Sequence, residues 1–148
     1  MKNKCTNKLA LTLPALSVNE GAARAMVSAF CAQLNPTIEE IADIKCSVSE
    51  AVTNCSVHAY PNSIGLVYIT GEILKDNVIK IKIRDKGCGI EDIEQAMQPL
   101  FTTGGEERAG LGFAVMESMM DSVRVISKKG KGTSVTMKKR ISRKDDAR

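Results

Sequence analysis

The stretch Ser49-Glu50-Ala51-Val52-Thr53-Asn54-Cys55-Ser56-Val57-His58 combines apolar residues at helical spacing with three polar side chains one turn apart. As a helix it brings Glu50, Asn54 and His58 to one side, because residues four apart are neighbours on a helix surface. A carboxylate can act as a general base, and an amide oxygen can bind a hard cation. Polar residues at this spacing more often form only a solvated face, so other motifs must decide between the two interpretations.

The pattern predicts a long helix around this stretch. Thr37 and Glu40 form a capping box at its start, and Pro61 requires it to end before residue 61. Its apolar stripe is predicted to consist of Ile41, Ile44, Val48, Val52, Cys55 and Ala59. Glu50 and Asn54 lie well round from this stripe and therefore face away from the core or towards a ligand.

The preceding segment predicts a strand and a first helix. Leucines alternate with Ala10 and Thr12 over residues 9–13, which indicates a strand that Pro14 ends. Ser17 or Asn19 is expected to cap a helix that runs to about Gln33. Arg24 is a free charge on that helix, whose inward face is predicted to be Ala22, Ala25, Met26, Ala29 and Phe30.

The following segment predicts two hairpins separated by a loop and a third helix. Residues 67–74 and 78–85 form the first hairpin, and residues 123–126 and 133–137 form the second. Residues 86–110 form a long, partly irregular connection that we call the lid, and residues 112–120 form the third helix. This order predicts an α+β fold, a two-layer α/β sandwich with helices on one face of a mixed, mostly antiparallel sheet.

Composition indicates one ordinary globular domain over residues 1–148, with 43% hydrophobic and 26% charged residues. The net charge is +4, and basic residues gather at the end, which predicts a solvated basic tail over about residues 140–148. No aromatic residue interleaves with that tail for base stacking, so direct nucleic-acid binding is not expected. Five cysteines without a C-x-x-C pair argue against a disulfide framework or a zinc site and favour the cytoplasm. No stretch is apolar enough to span a membrane.

Three glycine-bearing motifs follow the first hairpin. Asp85-x-Gly87-x-Gly89 ends a strand, where a carboxylate can accept a hydrogen bond from an amine. Gly110-Leu111-Gly112 is expected to open the third helix, whose free N–H groups suit phosphate. Lys129-Gly130-Lys131-Gly132-Thr133 lacks the spacing of a phosphate-binding P-loop, so that interpretation is rejected.

The order and spacing of these motifs resemble the GHKL (Bergerat-fold) ATP-binding family, shared by gyrase, Hsp90, MutL and histidine kinases. The resemblance covers nearly the whole chain and implies ATP (or ADP) and Mg²⁺ as cofactors. It implies that Asn54 coordinates Mg²⁺ and that Asp85 binds the adenine amine, with Gly87 and Gly89 shaping the adenine pocket and Thr133 beside Asp85. It also implies nucleotide contacts from the lid and helix residues Thr102, Thr103, Arg108, Gly110, Leu111 and Gly112.

The histidine-kinase branch of that family needs a separate helix with a phosphoacceptor histidine. The only histidine here is His58, inside the predicted nucleotide helix, so that type of autophosphorylation is excluded. The chain instead resembles the small anti-sigma factors that are also serine kinases, above all those of sporulation. The likeness rests on Ala15-Leu16-Ser17-x-Asn19-Glu20, Ser49-Glu50-Ala51-Val52-Thr53-Asn54, Gln98-Pro99-Leu100-Phe101-Thr102-Thr103 and Gly112-Phe113-x-x-Met116-Glu117.

Two local departures concern this likeness. Ala59 stands where glycine is expected, and Gly104-Gly105 suggests a looser lid. Neither touches the proposed chemistry.

The resemblance implies a kinase with Glu50 as its catalytic base and a serine of an anti-anti-sigma protein as the phosphoryl acceptor. It also implies that the chain, as a homodimer, binds a sigma factor of the sigma F type, with Arg24 in contact with both partners. Two alternatives stay open: a stress-response anti-sigma kinase of the sigma B type, and an ATP-gated binding module or plain ATPase without kinase activity.

Overall fold

A computed structural model describes residues 4–93 and 105–142, and the side chains of residues 105–110 are outside that description. The predicted α+β architecture is confirmed. Five strands form one sheet: β1 (Cys5–Pro14), β2 (Leu66–Leu74), β3 (Val78–Asp85), β4 (Ser122–Lys128) and β5 (Gly132–Arg140). Their spatial order is β1-β2-β3-β5-β4. The sheet was expected to be mixed, but all four pairings among the described strands are antiparallel.

Within residues 4–93 and 105–142, three α-helices form the second layer: α1 (Asn19–Cys31), α2 (Ile38–Asn54) and α3 (Gly105–Met119). A π-helical turn, Cys55–Ala59, continues α2, and short 3-10 helices follow α1 and β2 at Ala32–Leu34 and Lys75–Asn77. Alternate residues of β3 are buried under this layer, as the period of a half-buried strand requires. The core comprises aliphatic, aromatic and methionine side chains that include Val27, Ile44, Val48, Ile69, Ile81, Phe113, Met116 and Met137.

The N-terminus of α2 is the confirmed capping box. The Glu40 backbone N–H donates to Thr37 Oγ1 at 3.0 Å, and the Thr37 N–H donates back to Glu40 Oε1 at 2.8 Å. Its predicted apolar stripe is largely confirmed, with Ile44, Val48, Val52, Cys55 and Ala59 all buried. This helix therefore has a fixed start and a fixed inward face, which sets the direction of its polar side.

The inward face of α1 was predicted wrongly. The structure buries Ala23, Val27, Ser28 and Cys31, and it leaves Ala22, Ala25, Met26 and Ala29 exposed. The helix also begins without a side-chain cap, at Val18 instead of Ser17 or Asn19. A run of small residues with similar hydrophobicity gives a weak periodic signal, so packing against α2 and the sheet decides which side turns inward.

The open face of the sheet carries most of the basic side chains of the described strands. Lys8, Lys80, Lys82, Arg84, Arg124, Lys128, Lys138 and Arg140 point outward by register. Glu72 is the only acidic residue on this face within residues 4–93 and 105–142. Arg84 Cζ and Lys86 Nζ lie 5.0 and 4.9 Å from the ring centroid of Tyr68. The basic excess is therefore spread over the sheet and is not confined to the terminus.

The basic tail was predicted to begin at about residue 140, and residues 143–148 lie outside the described residues. Lys138, Lys139 and Arg140 were counted with its basic excess, but they belong to β5. Lys139 Nζ lies 3.3 Å from Asp43 Oδ2 and donates to the Met119 carbonyl at 2.7 Å, so its ammonium joins the helix layer to the sheet. No described helix is long and apolar enough to cross a membrane.

Candidate active site

The polar end of α2 lies where the helix changes its hydrogen-bonding pattern. Asn54 is the last α-helical residue, and the Cys55 N–H is shared between the carbonyls of Ala51 and Val52. The π-helical turn then runs to Ala59. Such turns inside or beside α-helices occur often at functional sites, because they re-aim the side chains on either side of them. Here the turn directs Cys55 towards the sheet, while Glu50 and Asn54 remain near α3.

Asp85 ends β3 as a buried carboxylate, with only 6% of its surface exposed. Its Oδ1 accepts hydrogen bonds from the backbone N–H groups of Gly87 at 2.9 Å and Thr133 at 3.2 Å. Its Oδ2 accepts from the thiol of Cys55 at 3.5 Å. Burial of a charged carboxylate is costly unless donors surround it, and three donors do so here. A carboxylate held in this way retains acceptor capacity for the amine of a ligand.

The turn after Asp85 fits against two neighbours that leave no room for side chains. A Cβ at Gly87 would collide with the carbonyl of Ala59, and a Cβ at Gly89 would collide with the carbonyl of Lys128. Gly89 also has a φ of +76°, which favours glycine. The Cys88 N–H donates to the Ala59 carbonyl at 2.8 Å, so the turn is attached directly to the π-helical turn. Both glycines are therefore required by the geometry of this pocket wall.

Glu50 and Asn54 face Gly112 of α3. A Cβ built at Gly112 would lie 3.0 Å from Glu50 Oε2 and 3.5 Å from both Asn54 Nδ2 and Asn54 Oδ1. The buried Nδ2 of Asn54 has no hydrogen-bond partner within the described part of the chain. A buried amide without a partner is costly and uncommon in proteins, so it indicates a ligand that this structure does not contain.

These residues fit Mg²⁺ held partly by nucleotide phosphates. The described residues contain no group of three or more His, Cys, Asp or Glu side chains that could hold a metal by themselves. Mg²⁺ is commonly bound by one or two protein oxygens together with phosphates and water. The amide oxygen of Asn54, close to Gly112, is one protein oxygen that would meet that requirement.

The motif Gly110-Leu111-Gly112 was expected to open the third helix, and this prediction is wrong. Helix α3 begins at Gly105, so the motif lies within it and Leu111 is exposed. The residues before the motif, Glu106, Glu107, Arg108 and Ala109, are strong helix formers and extend the helix towards the N-terminus. In this structure the N–H groups of the motif are therefore not the free ones of a helix start.

Part of the predicted lid, residues 94–104, lies outside the described residues. Thr102 and Thr103 lie outside the described residues, and the backbone of Arg108 and Gly110 lies in α3 without a described side chain. The predicted roles of these four residues stay predictions.

Arg24 is exposed, as its position in the sequence predicted, but it is not the free charge that was expected, because it pairs with Glu20. Its Nη1 lies 3.1 Å from Glu20 Oε1 and 3.5 Å from Ser49 Oγ, with 45% of the side chain exposed. Ser49 directly precedes Glu50 in α2. The guanidinium is therefore held at the surface by two helices, next to the segment that carries the proposed base.

His58 lies in the π-helical turn that continues α2. Its carbonyl accepts a hydrogen bond from the Cys88 thiol at 3.3 Å, which attaches the π-helical turn to the pocket wall. The placement of the His58 side chain on one side with Glu50 and Asn54 stays a prediction.

Two polar contributors to the site were missed in the sequence. Cys55 was assigned only to the apolar stripe of α2, yet its thiol contacts Asp85. Burial, followed by the negative charge of Asp85 and the hydrogen bond to it, raises the pKa of this thiol well above its ordinary value. Ser127 contacts Thr133 with their hydroxyl oxygens 2.7 Å apart, and its Oγ accepts from the Ile90 N–H at 2.7 Å. Neither contact has a local sequence signal.

Comparison with known proteins agrees with this geometry. Residues 13–139 match the family described as the histidine kinase-like ATPase domain. The chain is 59% identical over 138 residues to the anti-sigma F factor of Caldanaerobacter subterraneus subsp. tengcongensis, which covers 93% of this chain and 96% of that relative. It is 48% identical over 141 residues to the anti-sigma F factor of Clostridium acetobutylicum, with 95% and 98% covered.

Solved structures share the same architecture. The RsbU and RsbW domains of a Mycobacterium tuberculosis protein match with a TM-score of 0.70 and 24% identity, over 93% of this chain and 33% of that chain. A blue-light activated histidine kinase of Erythrobacter litoralis matches with a TM-score of 0.60 and 19% identity, over 90% and 44%. At these identities the likeness concerns the fold alone.

Proposed function

Because this chain belongs to the histidine kinase-like ATPase domain family and, within it, to the anti-sigma F factors, we propose that it is an anti-sigma factor with protein serine kinase activity. It binds a sigma factor of the sigma F type and keeps that factor from RNA polymerase. It also phosphorylates a serine of a small anti-anti-sigma protein, and so inactivates the protein that would release the sigma factor. It acts as one domain over residues 1–148, as a homodimer in the cytoplasm.

The observation that carries this proposal is the meeting of Glu50, Asn54 and Gly112 between α2 and α3. A general base and a metal-binding amide held close together are what phosphoryl transfer to a protein hydroxyl requires. The second wall of the site, 31 residues further along the chain from Asn54 at Asp85, supplies a buried acceptor for the adenine amine. Glu50 and Asn54, at the first wall, belong to α2. Asp85, at the second wall, is contacted by Cys55 of the π-helical turn.

Each residue then has a defined task. The amide oxygen of Asn54 holds Mg²⁺, and Asp85 accepts a hydrogen bond from the adenine amine between Gly87 and Gly89, with Thr133 beside it. Mg²⁺ held by Asn54 would supply charge neutralisation at the phosphates. Contacts with the phosphates are assigned to the lid and α3 residues Thr102, Thr103, Arg108, Gly110, Leu111 and Gly112.

Glu50 performs the proton transfer. Its carboxylate orients the partner's serine hydroxyl and takes the proton from it, while the serine oxygen forms a bond to the γ-phosphorus of ATP. The bond between that phosphorus and the bridging oxygen breaks, and ADP leaves. Because the transition state of phosphoryl transfer is stabilised mainly by position and charge, the Glu50 carboxylate and the Asn54 amide would act together with the residues assigned to the phosphates.

Transfer of labelled phosphate tests this proposal. The chain is incubated with ATP labelled at the γ-phosphate, Mg²⁺ and the anti-anti-sigma protein of the same organism. Label on a serine of the partner supports the kinase, and replacement of that serine by alanine removes the label. Label found only as inorganic phosphate contradicts the kinase and favours an ATP-gated binding module.

The sigma factor is tested separately. Capture of a sigma F-type factor, compared with a sigma B-type factor from the same organism, decides between the sporulation and stress-response assignments. Preference for the sigma B-type factor overturns the first assignment. The identity of 59% to an anti-sigma F factor supports the sporulation type.

A further inference from the structure

Cys55 lies beneath the proposed adenine site, at the start of the π-helical turn. It is 4% exposed, and its Sγ is 3.5 Å from Asp85 Oδ2 in a buried contact. The two residues are separated by 30 positions in the chain, so the contact exists only because α2 packs on β3. Asn54, which directly precedes Cys55, faces Gly112 at the other wall of the site. The C-terminal end of α2 therefore contacts both walls.

The thiol has an unequal share in holding the carboxylate. Oδ1 of Asp85 accepts from two backbone N–H groups, those of Gly87 and Thr133. Within residues 4–93 and 105–142, the hydrogen bond that the structure gives to Oδ2 comes from Cys55. Rotation about the terminal torsion of an aspartate is soft, so bonds to one oxygen alone fix the plane of the carboxylate poorly. A donor on the second oxygen defines that plane.

We propose that Cys55 is a positioning residue for base recognition: its S–H donates to Asp85 Oδ2 and sets the carboxylate plane that meets the exocyclic amine of adenine. This inference rests on the ATP site of the proposed function. The thiol is a donor through its S–H, and the buried contact with Asp85 Oδ2 places that donor against the carboxylate.

The chemistry of the contact predicts an effect on the choice of base. A carboxylate has acceptor oxygens and no hydrogen to donate. It therefore favours a base with an amine at this position and disfavours a base with a carbonyl there. Loss of the S–H lets the carboxylate turn and weakens the bond to the amine. Inosine triphosphate, which has a carbonyl where ATP has the amine, gains nothing from the bond and therefore loses nothing.

Two variants separate the hydrogen bond from the space that the side chain fills. Cys55→Ala removes the donor, whereas Cys55→Ser keeps a donor in a smaller side chain. We expect Cys55→Ala to bind ATP about fivefold more weakly, since a hydrogen bond of this kind contributes about 1 kcal/mol. Its affinity for inosine triphosphate is expected to be unchanged. The ratio of ATP affinity to inosine triphosphate affinity is therefore expected to fall. Cys55→Ser is expected to stay within about twofold of wild type.

Cys31→Ala is the matched control. Cys31 is a second fully buried thiol, in α1, and burial raises its pKa to about 12. Loss of that thiol is expected to lower stability while leaving the ratio of ATP to inosine triphosphate affinity at the wild-type value. A Cys55→Ala variant whose ratio equals that of Cys31→Ala overturns the inference, because Cys55 would then act only as a core residue.

A second measurement needs no nucleotide. The S–H stretching band of Cys55 is identified in the infrared spectrum as the band that Cys55→Ser lacks. We expect its frequency to be lower than that of a free thiol. In Asp85→Asn, whose acceptor is uncharged, we expect the frequency of this band to rise. A free-thiol frequency in the wild-type protein overturns the inference.

The two failures are distinguishable. A wild-type chain that binds neither nucleotide overturns the proposed function, and the inference about Cys55 with it. A wild-type chain that binds ATP well while Cys55→Ala keeps the full ratio overturns only the inference.

Discussion

Gly112 of α3 lies against Glu50 of α2, with the position of a missing Cβ only 3.0 Å from Glu50 Oε2. Two packed helices normally fill such a position with a side chain. The absence of one lets α3 approach the Glu50 carboxylate and the unpartnered Asn54 amide closely, at the centre of the proposed site.

Gly112→Ala tests whether this close approach of α3 to Glu50 and Asn54 is needed for nucleotide binding. The added methyl pushes against Glu50 and Asn54, so we expect ATP binding to weaken about tenfold, as over-packing by one methyl costs about 1–3 kcal/mol. Isothermal titration calorimetry measures the affinity. Gly21→Ala is the control, because among the described residues its new Cβ would make only an ordinary contact, with Arg24 Nη2 at 3.9 Å. Equal ATP affinities of the two variants would contradict this role of Gly112.

Glu50→Gln tests the base. The amide preserves shape but cannot take a proton, so transfer of phosphate to the anti-anti-sigma protein is expected to fall about 10²–10⁴-fold while ATP binding persists. Single-turnover transfer of label measures the step. Glu39→Gln, in the exposed first turn of the same helix, is expected to keep the wild-type rate. An unchanged rate in Glu50→Gln would remove Glu50 from the reaction.

Gly89→Ala and Gly130→Ala compare two glycines with the same backbone conformation. Their φ angles are +76° and +78°, but a Cβ at Gly130 has no neighbour within 4 Å, whereas one at Gly89 meets the Lys128 carbonyl. Gly130→Ala is expected to lower the free energy of unfolding by about 1–2 kcal/mol. Gly89→Ala is expected to lose about 1–3 kcal/mol more. Urea denaturation measures both, and equal losses would show that the turn can move away from β4.

Glu40 is expected to make stability depend on acid pH. Its carboxylate accepts bonds from the N–H and hydroxyl of Ser142 at 2.9 and 3.1 Å, besides those of the capping box. Although partial burial raises the pKa of Glu40, hydrogen bonds from Thr37 and Ser142 outweigh that effect and lower the pKa below its ordinary value. A lowered folded-state pKa contributes stability above the unfolded-state pKa, and that stability is lost as pH falls through the folded-state pKa.

The measurement is the difference in unfolding free energy between wild type and Glu40→Gln as a function of pH. We expect wild type to be more stable near neutral pH and the difference to shrink below about pH 4. Ser142→Ala should remove part of the same difference, since it deletes the hydroxyl and keeps the backbone N–H. A difference that is constant from pH 7 to pH 3 would contradict this assignment.

Arg24→Ala tests the partner surface. The exposed guanidinium is held by Glu20 and Ser49 outside the nucleotide site, so its loss should weaken binding of both the sigma factor and the anti-anti-sigma protein about tenfold or more. ATP affinity should not change. Lys45→Ala, an exposed cation on α2, is the control. Biolayer interferometry measures the affinity for each partner. If Arg24→Ala binds both partners with wild-type affinity, Arg24 is excluded as a contact.

The sequence by itself determined the features that have a local physical cause. The alternation of apolar and basic residues in β3 and the capping box at Thr37 and Glu40 specify their elements through periodicity and a hydrogen bond within four residues. The spacing of Glu50, Asn54 and the Asp85 glycine motif indicated the ATP-binding family, which the match over residues 13–139 confirms. The same local information gave the wrong inward face for α1, because its alanines differ little in hydrophobicity from their neighbours.

The tertiary structure alone decided which distant groups meet. Cys55 and Asp85 are 30 residues apart, and Glu40 and Ser142 are 102 residues apart. No local sequence pattern can therefore predict either contact. The start of α3 at Gly105 and the closeness of Gly112 to Glu50 likewise depend on how the helices pack. Propensity acts between near neighbours in the chain, whereas packing and buried hydrogen bonds act between near neighbours in space.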